Sequence, residues 1–192
     1  MNNYQDIIDV IRHVWDSSKY TLCDTKAITR IEEKPKYIEP KLKEIQFDTK
    51  QPIIIISAPG AVGKTTLAKY SANIKKGYYW DLSKLKLGSN SFVGTLVETF
   101  GPENIGQVLT ELGNGRLSLF IDAFDEAEMI SGSQGIETFL IDVYKYCNTA
   151  SHPNIVLFSR SETTSIIQFI LDNLSSNPSY SLFEIDYFEE EN

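Results

Sequence analysis

Four consecutive isoleucines, Ile53 to Ile56, run into Ser57-Ala58-Pro59-Gly60-Ala61-Val62-Gly63-Lys64-Thr65-Thr66, and this junction constrains the fold more than any other stretch of the 192-residue chain. A β-branched run without alternation belongs to a strand buried on both faces. Pro59, Gly60 and Gly63 stop it. Leu67, Ala68, Ser71, Ala72 and Ile74 then recur at helical spacing. A buried strand, a glycine-bearing loop and a helix in that order bring backbone N–H groups and the positive end of the helix to one point. Such a point attracts an anion.

The spelling is that of a Walker A phosphate loop with one departure: Ala58 stands at the first glycine of Gly-x-x-x-x-Gly-Lys-[Ser/Thr]. The turn there requires a small residue, and alanine is small. Ala58, Pro59, Gly60, Ala61, Val62, Gly63, Lys64, Thr65 and Thr66 are therefore the candidate nucleotide-phosphate site. Lys64 is expected to reach the β/γ-phosphates and the Thr65 hydroxyl to sit on Mg²⁺. A second element, Leu117-Ser118-Leu119-Phe120-Ile121-Asp122, is a mostly apolar strand ending in an acid, followed by Ala123-Phe124-Asp125-Glu126. This is the Walker B form. Asp122 is the candidate Mg²⁺ carboxylate, and Glu126 and Asp125 are candidates to orient or deprotonate an attacking water. The sequence does not choose between these two adjacent acids.

Composition narrows the class. Apolar residues make up 42% and aromatic residues 11%, enough for an ordered core. No apolar run approaches the roughly 18 residues of a membrane span, and Met-Asn-Asn-Tyr-Gln-Asp is not a secretory start. A cytoplasmic protein without membrane contact is expected. Cys147 falls on an apolar helical face and reads as a buried reduced thiol; Cys23 is likewise alone, and His13 and His152 lack partners at metal-ligand spacing. A net charge of −8 argues against broad electrostatic binding of nucleic acid. Glu184, Asp186 and Glu189 to Glu191 crowd the end as a solvated face or a frayed terminus.

Residues 3–18 carry Ile7, Ile8, Ile11, Val14 and Trp15 on one helical face, and residues 25–50, with Pro35 and Pro40, read as an extended connector. The expected organisation is an N-terminal helix and connector over 1–50 and a nucleotide-binding core over 51–192. Strands are expected at 52–57, 77–82, 117–122, 154–159 and 181–187. Between them fall a helix broken at Gly101-Pro102, a helix near 135–149 and one bearing Ile166, Ile167, Ile170 and Leu174. Alternating strands and helices predict a three-layer α/β fold with a five-stranded, mainly parallel sheet. A whole strand–helix unit separates the two Walker strands. That order resembles the additional-strand P-loop group, in which the strand ending Phe158-Ser159-Arg160 lies between them in space. The guanine-specifying Asn-Lys-x-Asp is absent, which favours ATP over GTP.

Within that group the chain resembles the STAND-class NTPases, and specifically NACHT-type modules. The resemblance rests on Leu119 to Ala127, where Asp122, a small residue, a hydrophobic and Asp125-Glu126 follow one another, with Ala123 in place of the usual Gly. It rests also on Leu157-Phe158-Ser159-Arg160, similar to a sensor segment whose arginine addresses the γ-phosphate, and more loosely on Tyr37-Ile38-Glu39-Pro40. The resemblance implies an ATP/ADP switch: ADP holds a closed monomer, and ATP drives homo-oligomerisation that activates effector and sensor regions outside this chain, often in defence against phage. Such proteins continue into a helical lid, and the sequence ends about where that lid begins, so a core lacking the C-terminal lid is expected. The alternatives are an AAA+-like motor or loader and a non-hydrolysing nucleotide scaffold. Arg116 and Arg160 are the only arginines after Arg30, which offers a motor no convincing trans-acting finger.

Overall fold

The isoleucine run becomes the strand around which the sheet is assembled. The computed structural model describes residues 9–11, 19–23, 27–36, 40–175 and 180–185. In chain order the described elements are β1 (Ile28–Thr29), β2 (Leu42–Gln46), β3 (Ile53–Ser57), α1 (Lys64–Ile74), β4 (Tyr78–Asp81) and α2 (Ser91–Phe100). There follow α3 (Ile105–Gly113), β5 (Leu119–Asp122), α4 (Phe124–Cys147), β6 (Ile155–Ser159), α5 (Ser161–Leu174) and β7 (Tyr180–Ile185). The sheet order is β1-β4-β5-β6-β3-β7-β2. β4, β5, β6, β3 and β7 run parallel, and β1 and β2 close the two edges antiparallel.

Alternation along β3 divides the core into two layers. Ile53 and Ile55 face one side with Trp80, Ile121 and Leu157, against residues of α2, α3, α4 and α5 such as Phe92, Val108, Phe139 and Ile167. Ile54 and Ile56 face the other side with Phe120, Val156 and Phe158, against Leu67, Ala68 and Ala72 of α1. Helices on both faces explain why every isoleucine of the run is buried. The helix–sheet–helix layering agrees with the sequence reading.

The strand count does not: among the described residues the sheet has seven strands, not five. The extra two come from the stretch read as a connector. β1 is two residues long, and β2, Leu-Lys-Glu-Ile-Gln, is polar and exposed at most positions. Short, charged strands are typical of sheet edges and carry no strong periodic signal. The helix expected near 135–149 also begins earlier, at Phe124, with a break at Gly132 (φ 69°, ψ 171°). Most of the amphipathic stretch 3–18 lies outside the described residues, as do His13, Tyr37 to Glu39, Asp186 and Glu189 to Glu191. Within that stretch Ile11 is buried in the second core and Asp9 pairs with Lys75 at 3.8 Å. Cys147 is buried, which pushes its thiol up to about 12, and Cys23 is exposed. Among the described residues no helix is long and apolar enough to cross a membrane.

The end of α1 shows how tightly the parallel strands are set. Lys76 takes a left-handed conformation (φ 50°), its N–H bonds Asn73 O at 3.2 Å, and the Gly77 N–H bonds Ala72 O at 2.9 Å. This is the Schellman pattern, with Gly77 one residue past the turn. A Cβ on Gly77 would lie 2.7 Å from the Phe120 ring and 2.8 Å from the Ser118 carbonyl. Gly77→Ala is therefore expected to destabilise the fold by about 1–3 kcal/mol through overpacking against backbone. A urea titration showing an unchanged midpoint would contradict this close approach.

Candidate functional site

The loop between β3 and α1 stands at the carboxyl ends of the parallel strands, where open α/β sheets hold their ligands. Its first residue is tied down: Ala58 N–H donates to Ser159 O of β6 at 3.1 Å, and the Ala58 side chain is buried in the second core. Positive φ in the loop falls at Ala61 (64°) and Gly63 (84°), not at Ala58. Alanine thus replaces the first glycine of the motif without backbone strain. Left-handed residues alternating with right-handed ones, in a loop that runs into a helix, are the backbone pattern that can cup an anion.

Lys64 opens α1, and its Nζ donates to the loop carbonyls of Ala58 (3.3 Å) and Pro59 (3.0 Å). Burial lowers its pKa; the nearby Asp125 opposes that shift, Arg160 adds to it, and Asp122 and Glu126 oppose it further. A cavity of about 180 Å³ opens here. It is lined by Ala61, Gly63, Lys64 and Thr65 of the loop and the start of α1, together with Asp122, Asp125, Glu126 and Arg160. The two motifs, far apart in sequence, meet in one place. The remaining loop positions serve it indirectly. Val62 packs against the second core, Gly60 lies beneath the Arg160 guanidinium, and Thr66 is half-buried on α1. Ala58 and Pro59 also border a second hollow of about 240 Å³, with Lys43 and Glu184.

Asp122 ends β5 and is 3% exposed. Burial raises its pKa, against the opposing hydrogen bonds of the Thr65 side chain, the Ala123 N–H and the Tyr79 hydroxyl. Tyr79 donates to Asp122 Oδ2 at 3.3 Å from the neighbouring strand, and burial holds its own pKa far above the ordinary phenol value. Sequence reasoning missed Tyr79, because Tyr78-Tyr79-Trp80 reads as core. The signal lies in register: Asp81 pairs with Asp122, so the residue two before Asp81 shares its face of the sheet. Ala123 sits at φ 68°, the left-handed region that explains why glycine is usual here; alanine costs about 1–2 kcal/mol.

Asp125 and Glu126 open α4 and point in different directions, since successive helical residues are about 100° apart. Asp125 Oδ1 accepts the Arg160 backbone N–H at 2.8 Å, and Oδ2 pairs with Arg160 Nε at 3.0 Å. At the tip of β6, Ser159 is buried and its hydroxyl bonds Thr164 at 2.6 Å, so Arg160, not Ser159, reaches the cavity. The Thr65 hydroxyl and the Asp122 carboxylate are hard oxygen donors of the kind magnesium takes. Among the described residues no cluster of three or more His, Cys, Asp or Glu side chains forms a metal cage. The donor set fits a magnesium ion that keeps waters and phosphate oxygens as its other ligands.

No protein-family profile matches the chain, and no curated protein matches it. Among solved structures, C. elegans PCH-2 is similar at 15% identity with a TM-score of 0.40; the match spans 70% of this chain and 35% of PCH-2.

The burial of Asp122 has a measurable cost. Its folded pKa lies above the ordinary 3.8, so ionisation costs stability that grows as pH rises from that value through the folded pKa, and the cost vanishes below 3.8. Asp122→Asn is expected to melt at a higher temperature than the parent at pH 7 in EDTA, with the gap closing as pH is lowered toward 3.8. Melting curves with no gap at pH 7 would contradict the buried charge.

Proposed function

We propose that the chain binds ATP with Mg²⁺ and hydrolyses it slowly, and that its ATP and ADP states act as a switch. The observation that carries this reading is the convergence, on one cavity at the strand ends, of Lys64 and Thr65 with Asp122, Glu126 and Arg160. The position of β6 between β3 and β5 supports the additional-strand P-loop class, since it sets Arg160 between the two motifs. Each side chain has a definite task. The loop N–H groups and Lys64 hold the β/γ-phosphates. Thr65 and Asp122 hold magnesium, which when bound neutralises charge that develops on the transferred phosphoryl group. Glu126, lining the cavity, orients the attacking water and takes its proton. Arg160 distinguishes the terminal phosphate.

Slow turnover follows from openness. The Arg160 side chain is 51% exposed, so water reaches the reacting end of the cleft and screens its charges. A slow hydrolase is suited to timing a state rather than driving continuous work. The Asp122-Ala123-Phe124-Asp125-Glu126 spelling supports the NACHT-like form of this switch, with ATP-dependent homo-oligomerisation and effector and sensor regions outside this chain, in a cytoplasmic defence role.

Two substitutions test the reading. Lys64→Ala is expected to weaken Mg-ATP binding by about 2–4 kcal/mol, or roughly 30- to 1000-fold, through loss of a charge-assisted contact. Calorimetry giving equal affinities would mean that the loop holds no phosphate. Glu126→Gln keeps shape but cannot accept a proton, so ATP affinity is expected to persist while turnover falls on the order of 10²–10⁴-fold. Full activity in that variant would remove Glu126 from the mechanism.

A further inference from the structure

Asp125 makes a two-point contact with a single residue on another element. One carboxylate oxygen accepts the Arg160 backbone N–H at 2.8 Å and the other pairs with its Nε at 3.0 Å. The carboxylate is mostly buried, with 15% of the side chain exposed, whereas the guanidinium is half-exposed. Three residues along α4, on the same helical face, Glu128 Oε2 accepts the Thr163 hydroxyl at 3.0 Å. The opening turns of α4 and α5 are therefore joined at two adjacent points, one through a charge. The far end of Arg160 is directed over the phosphate loop, its Cζ lying 4.0 Å from where a Cβ on Gly60 would stand.

Binding through Nε leaves the two terminal nitrogens of the guanidinium as donors. An arginine is long and rotamer-rich, and holding it in one pose costs side-chain entropy. A contact at Nε together with one at its own backbone meets that cost before a ligand arrives. Glu126 lies on a different side of α4; both acids line the cavity, but of the two it is Asp125 that is bound to Arg160. The two acids that the sequence left interchangeable thus have different surroundings.

We propose that Asp125 is a positioning residue that holds Arg160 over the phosphate loop, so that Asp125 sets the preference for nucleoside triphosphate over diphosphate and does not act on water. The proposal rests on the ATP-binding reading above and deepens it.

The test is a double-mutant cycle on nucleotide affinity, read by calorimetry with Mg-ATP and Mg-ADP for the parent, Asp125→Ala, Arg160→Ala and the double variant. Asp125→Ala is expected to lower the ATP-over-ADP affinity ratio roughly tenfold, the scale of one hydrogen bond to a charged group. In the Arg160→Ala background the same change is expected to leave the ratio unmoved. Asp125→Asn, which retains an acceptor for the backbone N–H, is expected to fall between the parent and Asp125→Ala. An Asp125→Ala ratio equal to the parent's, or equal shifts in both backgrounds, would overturn the proposal. So would an Arg160→Ala ratio equal to the parent's. Those results leave the phosphate site standing as long as Lys64→Ala still loses affinity, so failure of the positioning role and failure of the ATP reading are separable. Circular dichroism melts of each variant establish that the compared proteins are folded.

Discussion

Burial of β3 on both faces is the constraint on which the rest depends. Because Ile53 to Ile56 are clamped between two apolar layers, the tip of the strand has a fixed position, and the loop that leaves it starts from a fixed point. The hydrogen bond from Ala58 N–H to Ser159 O then joins the loop to the tip of β6. Beneath it, Thr164 links Ser57 and Ser159 through hydroxyl contacts of 3.0 and 2.6 Å. Polar groups at this depth are tolerated because they satisfy one another. The loop is thus built on a dry, cross-linked base, and its amides need little rearrangement to meet an anion.

Charge balance in the cavity is consistent with the proposed reading, in which a divalent cation enters the site with the nucleotide. Lys64 and Arg160 face Asp122, Asp125 and Glu126, so carboxylates outnumber cations on the lining. A polyphosphate entering alone would meet a site without a positive excess. Pairing of Asp125 with Arg160 consumes one charge of each sign and leaves Lys64 against Asp122 and Glu126. A magnesium ion carried in with the phosphates reverses that balance, and Thr65 and Asp122 supply oxygens of the right kind. The raised pKa of Asp122 belongs to the same balance of charge: burial disfavours the carboxylate, hydrogen bonds from Thr65, Ala123 and Tyr79 oppose that shift, and a bound cation would oppose it further.

Much of this was legible in the sequence, for identifiable reasons. Parallel strands buried on both faces announce themselves as apolar runs, and five of them were readable at nearly their observed bounds. The two motifs that meet at the cavity were readable because each is a set of residue types at fixed spacing. The edge strands were not: Leu42–Gln46 alternates weakly, and Ile28–Thr29 is too short to show a period. The first part of α4 was missed because Asp125 to Ser133 is mostly polar and Gly132 interrupts it. Tyr79 was hidden for a different reason. Its role depends on which strand lies beside β5, and no local pattern encodes that neighbour. The division between Asp125 and Glu126 likewise depends on where α5 packs, which only the assembled fold decides.

In the proposed reading, backbone amides of the 58–66 loop, near the acids at the tip of β5, hold a nucleotide's phosphates. Hydrogen exchange of the intact chain, followed by mass spectrometry with and without Mg-ATP, reads those amides directly. Phosphate binding at the loop is expected to slow exchange in peptides covering 58–66 and 122–126, with little change in peptides covering α2 and α3. Exchange unchanged in the loop, or protection confined to distant surfaces, would contradict it.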